Sequence, residues 1–170
     1  HSTSRRQRQM CIRDRAGAKY INPDIKFTSV MSGSWTDVAK GKEIGISMIS
    51  TNKADVIFSF ASGVDAGVRE ACQSADNVYF IAQPSESHDT APDITVTSII
   101  QSNEALIYHA METAANGTFK GGYYIAGFED GGTCSLGVFG DFFDADKQAK
   151  VNDVINKIKS GEIDCDSYAK

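Results

Sequence analysis

Few side chains in this sequence could do chemistry, and their spacing argues against catalysis. His88 and His109 are the histidines beyond the first residue, and neither stands with a serine or cysteine as base and nucleophile. His109 falls in the middle of a helical stretch, where a packed or surface role is expected. No Gly-x-Ser-x-Gly elbow occurs, and Gly41-Lys42 lacks the upstream glycine loop of a phosphate site. Glu129-Asp130 beside Gly131-Gly132 has the oxygen ligands for a cation, but an acid followed by two glycines is first of all a turn. What remains is recognition. Ser32-Gly33-Ser34-Trp35-Thr36-Asp37 holds the chain's single Trp, a flat apolar face, beside a glycine that lets the backbone turn or approach a ligand. Two readings of Trp35 stand at this point: it stacks on a ligand, or it covers the end of a sheet.

The elements that must position this loop can be read on either side of it. Ile25 to Met31 is apolar and β-branched, and Val38 to about Ile49 has a helical pattern that Thr36 or Asp37 can cap. Strand, tight loop and helix form the unit of an open parallel α/β sheet, which binds ligands beyond the carboxyl ends of its strands. The rhythm repeats. Residues 54–60 form a near-continuous apolar run, Ala61-Ser62-Gly63 a second strand-end loop, and residues 64–75 a helix with Val64, Val68, Ala71 and either Cys72 or Ala75 on one face. Residues 78–82 form a third strand and 83–93 a third loop with Pro84 and Pro92. Strands are further expected at 94–100, 123–128 and 133–139, with helices at 103–115 and from Asp144 or Asp146 to Lys159.

Residues 1–15 differ from the rest, with five arginines, one aspartate and no apolar periodicity. They contain no apolar core of a signal peptide. Met10 to Arg15 resembles translated sequencing-adapter sequence, so a non-native or unstructured leader is expected; a basic arm for nucleic acid or lipid is the functional alternative. Without the leader, 12 basic and 21 acidic residues remain, a net charge of −9. Such a surface repels DNA, RNA and anionic membranes. No run of 18 apolar residues is present. The four cysteines form no metal motif, and nothing in the spacing of Cys134 and Cys165 favours a bridge.

Several motifs in order now carry a resemblance. Residues 17–24 (Gly-Ala-Lys-Tyr-Ile-Asn-Pro-Asp), Gly33-Ser34-Trp35-Thr36-Asp37, Ala39-Lys40-Gly41-Lys42-Glu43, residues 54–58, Thr97-Ser98 and Phe119-Lys120-Gly121-Gly122 resemble the basic membrane protein family, substrate-binding lipoproteins of ABC importers. The resemblance runs from Ala16 to Gly161 and covers the carboxyl-terminal half of such a protein. It implies a type I periplasmic-binding-protein-like parallel sheet flanked by helices, incomplete and mainly the second lobe. The expected division is 16–93 as second-lobe core, 94–120 as a crossover packing with the first lobe, and 121–170 as return strands and terminal helix. The crossover is expected to expose Leu106 and Ile107.

By the same resemblance the ligand is nucleoside-like, and Gly33, Ser34, Trp35, Asp37, Ser62, Gly63, Glu86 and Gln101 are the expected binding residues. Trp35 forms one side of an aromatic sandwich, with its ring exposed near Gly63; a lid would be buried against Val38 or Phe60. The family's acid and lysine are replaced by Pro84 and Gln101, a paired change that keeps the site electrically balanced. Either Glu86 and Gln101 supply substitute hydrogen bonds, or the ligand is a base or another small polar metabolite. The implied partners are a small-molecule ligand and ABC permease subunits, in the cell envelope, with membrane contact only through a lipid anchor on the missing amino-terminal part. No catalytic residue, metal or cofactor is implied. The alternative function is the ligand-sensing domain of a regulator with the same two-lobed fold.

Overall fold

A computed structural model of the chain describes residues 2–122, 124, 126–128, 132–164 and 167, with residues 2–11 described by their backbone alone. The chain divides into two units, Ser32–Val151 and a second made of His1–Met31 with Asn152–Lys170.

In the larger unit, helices α2 (Val38–Ser50) and α3 (Gly63–Gln73) pack backbone against backbone. A methyl group on Gly67 would run into the carbonyl oxygen of Val38, and one on Gly41 into that of Val64. So close a crossing requires glycine at both places. Val64, Val68, Ala71 and Cys72 are buried, the i, i+4, i+7, i+8 stripe expected of this helix. Burial pushes the Cys72 thiol up to about 11, so it is an inert core group.

The sheet has the order β1-β2-β3-β4, from Val56–Phe58, Tyr79–Ala82, Thr95–Gln101 and Cys134–Leu136. The first three strands are parallel and β4 is antiparallel to β3. Ile57, Phe80 and Ala82 join Val64, Val68, Cys72 and Val78 in the core. Phe80 is fully enclosed, so its loss to Ala costs about 3–5 kcal/mol. The strand run continues past β4: Gly137 N–H donates to Ser98 O (2.8 Å) and Gly140 N–H to Val96 O (2.9 Å).

Four expectations are corrected. Residues 25–31 form no strand; among the described residues nothing pairs with them, and a β-forming sequence without a partner gains no ladder. Of the two alternatives for the leader, non-native or unstructured, the second is corrected: it is helical from Ser2, since α1 (Ser2–Ile21) meets no Gly or Pro before Gly17 to break it. Thr95–Gln101 lies inside the sheet beside β2, so a crossover segment cannot begin at residue 94. Residues 124 and 126–128 show no strand, while Tyr123, Ile125, Glu129, Asp130, Gly131 and Cys165 lie outside the described residues. Helix α4 (Asn103–Ala115) buries no residue, and Leu106 and Ile107 are exposed.

In the smaller unit, Ala16, Tyr20 and Ile21 of α1 face Val154 and Ile158 of α5 (Ala145–Lys159) across a shallow apolar cleft. Among the described residues no helix is long and apolar enough to cross a membrane.

Candidate functional site

Because β1, β2 and β3 run in parallel, the loops after β1 and β2 and the end of β3 open on one edge of the sheet. The Trp35 loop joins that edge through one bond, from Gly63 N–H to Trp35 O at 2.9 Å. Gly33 sits at φ +66°, which its lack of a side chain makes inexpensive. Ser34 Oγ then accepts from Asp37 N–H (3.1 Å), and Asp37 caps α2 by accepting from Lys40 N–H (3.0 Å). Gly33, Ser34 and Asp37 therefore shape and hold the turn. Trp35 keeps 42% of its surface exposed, with its ring edge-on to Phe60 at 6.4 Å between centroids. It is a half-exposed ring supported on one side by Phe60.

The second loop is held from beneath. The Asp65 carboxyl, buried in the first turn of α3, accepts from Ser59 Oγ and from Ala61 N–H (2.8 Å). Burial raises its pKa, and the bonds from Ser59, Ala61 and Ser62, with the Arg69 charge, oppose that rise. Ser62 takes φ 57°, ψ −119° and its hydroxyl makes no cap bond to the helix. For a residue with a Cβ this conformation stores about 1–3 kcal/mol.

The third loop is tied to its neighbours. Buried Gln83 donates from Nε2 to Ser59 O (2.9 Å), linking it to the second loop. Gln101 N–H donates to Pro84 O (2.9 Å), so the two positions of the paired change are in direct contact. Glu86 is bonded within the chain. Its Oε1 accepts from Ser87 N–H (2.9 Å), His88 N–H (2.9 Å) and Ser98 Oγ (2.8 Å), and Oε2 accepts from Val138 N–H (2.7 Å). Burial works to raise its pKa, but the bonds from His88, Val138, Ser98 and Ser87 outweigh it and hold the carboxyl below the ordinary glutamate value. A carboxylate offers about four lone-pair sites, so Glu86 is committed to clipping three chain segments together.

The eight expected residues thus fall into two groups: Gly33, Ser34, Trp35, Asp37, Ser62 and Gly63 around the Gly63–Trp35 bond, and Glu86 and Gln101 in and beside the third loop, each with bonds of its own. Gln83 joins them through Ser59. Neither Gln83 nor Asp65 stood out in the sequence. The signal for Asp65 was available, since Ser62-Gly63-Val64-Asp65 has capping-box spacing, and the acid reaches back to the backbone of Ala61 and of the cap residue Ser62. Among the described residues no group of three or more His, Cys, Asp or Glu could hold a metal.

Residues 8–167 match the family described as ABC transporter substrate-binding protein PnrA-like. The chain belongs to this family. The match begins inside the basic leader. Basic membrane protein C of Borreliella burgdorferi is 31% identical over 151 residues, 88% of this chain and 43% of the relative. The ABC transporter nucleoside-binding protein BmpA of Lactococcus lactis is 25% identical, covering 88% of this chain and 45% of its own length. A solved structure from Bacillus halodurans, described as a transcriptional activator of the comK gene, superposes with a TM-score of 0.72 at 25% identity, over 83% of this chain and 48% of that one. The PnrA-like chain therefore spans less than half the length of these relatives, with a parallel-dominant sheet of the solute-binding-protein fold.

Proposed function

We propose that this chain is the carboxyl-terminal part of the ligand-binding component of an ABC importer, and that it holds a flat, nucleoside-like ligand against Trp35 without chemistry. One observation carries the reading: the single Trp presents an open face at the carboxyl edge of the sheet, where α/β folds bind their ligands, and its loop is fixed there through Gly63. The nucleoside-binding relative from Lactococcus supports the ligand class. Permease subunits as partners, and a place at the cell envelope through a lipid anchor on a preceding segment, belong to the same proposal. With half of its enclosure supplied elsewhere, the chain alone should bind adenosine in the millimolar range, about −4 kcal/mol, or not at all.

The test is Trp35→Ala in a full-length PnrA-like protein carrying this half. Stacking is worth roughly 1–3 kcal/mol per base, so adenosine affinity should fall about 5- to 150-fold with little change in melting temperature. Unchanged affinity with a lower melting temperature would make Trp35 a lid. A second reading has its own observation, the likeness to the Bacillus halodurans activator: the same half serves a regulator that senses the ligand. Retained nucleoside binding by a full-length protein that also shifts promoter DNA would select it.

A further inference from the structure

Phe60, the ring that supports Trp35, is the one residue between the two donors that Asp65 gathers. Ser59 Oγ and Ala61 N–H both point to the same oxygen, Asp65 Oδ1. The backbone on each side of Phe60 is therefore tied to one buried atom in the first turn of α3. Gly63, two residues before Asp65, donates to Trp35 O, so the same turn holds the Trp35 backbone as well. Ser59 O receives Gln83 Nε2, which extends the linkage to the third loop. From this geometry we infer that Asp65 is the positioning residue of the ligand edge: it fixes Phe60, and through Phe60 the tilt and exposure of the Trp35 ring.

The inference rests on the stacking reading of Trp35 for its importance, but not for its test. Asp65 touches no ligand surface of its own, being buried under the loop. An acceptor at Oδ1 is what the geometry requires, rather than a charge. Asp65→Asn keeps a carbonyl oxygen at that place, and Asp65→Ala removes it. An aromatic pair held in register is worth about 0.5–1.5 kcal/mol, so freeing Phe60 shifts the paired population about 2- to 12-fold.

The single Trp makes the ligand-free readout unambiguous. In the 170-residue chain, Asp65→Ala should raise acrylamide quenching of Trp35 and move its emission to the red, while Asp65→Asn stays close to the parent. Val68→Ala, on the buried face of the same helix, should lower the melting temperature and leave both signals unchanged. If Asp65→Ala does not fold, Ser59→Ala removes one of the two bonds that flank Phe60 and must itself raise quenching. A folded Asp65→Ala, or failing that a folded Ser59→Ala, with parental emission and quenching overturns the inference. Adenosine titration of the same proteins answers separately. Micromolar adenosine binding by the parent would overturn the half-enclosed site of the proposed function and leave the positioning result standing.

Discussion

Two neighbouring loops on one sheet edge are each held by a single carboxyl group, and the two groups work in opposite ways. Asp65 is buried, gathers donors from its own loop and carries a raised pKa. Glu86 lies on an exposed residue, gathers four donors from the third loop, from β3 and from the chain after β4, and carries a lowered pKa. The first arrangement shapes a local conformation at the cost of desolvation. The second stitches distant segments together and leaves its charge partly solvated. Strain follows the same division, since the positive φ of Ser62 lies in the loop that Asp65 holds. Conformation beside Trp35 is thus set locally, whereas the position of the third loop is set by the sheet's return strand.

Glu86→Ala should separate the two loops most clearly. It strips three backbone N–H groups and the Ser98 hydroxyl of their acceptor, at a net cost of about 1–2 kcal/mol once water replaces part of what is lost. A lowered denaturant midpoint with unchanged Trp35 quenching is expected. Altered Trp35 quenching in this variant would show that the loops are one mechanical unit. A smaller effect of opposite sign belongs to the other loop. Ser62→Gly removes the Cβ from a left-handed position and should stabilise the chain by about 1 kcal/mol, less the entropy that a glycine adds to the unfolded state. A loss of stability on this change would show that Ser62 is held by contacts worth more than its strain.

How far the sequence revealed these arrangements depended on the range of the interactions. The apolar runs at Val56–Phe58 and Tyr79–Ala82, and the stripe Val64, Val68, Ala71 and Cys72, were readable because strand and helix periods are local properties of the chain. Gly33, Trp35 and Asp37 were readable as a loop with a cap for the same reason. Residues 25–31 misled because β-propensity says nothing about whether a partner strand is present. The role of Glu86 was hidden in a contact 52 residues away, with Val138. A polar loop residue gives no sign of whether its carboxylate faces a ligand or a backbone. Gln101 lay between these cases: the contact of its N–H with Pro84 bears on the paired change, which the resemblance alone had suggested.

The smallest expected effect is the pH dependence that the two carboxyls impose, and its sign differs between them. Glu86 is shifted down from its ordinary 4.5, so its contribution to stability is complete above that value and is lost as the pH falls through its folded pKa. Asp65 is shifted up from 3.8, so ionising it penalises the fold, a penalty absent below 3.8 that grows as the pH rises toward its folded pKa. Acidification from neutrality should therefore relieve a penalty at Asp65 and remove a contribution at Glu86, two effects of opposite sign. Thermal melts of the parent, Glu86→Gln and Asp65→Asn between pH 3 and 7 will resolve the two, because each amide removes one titration. Glu86→Gln should be less stable than the parent at neutral pH and converge with it under acid conditions, as the parent's own carboxyl becomes protonated. Asp65→Asn should converge under acid conditions too, but gain relative to the parent as the pH rises. Two variants with parallel curves would mean that the buried and exposed carboxyls feel the same environment, and the contrast between the loops would fail.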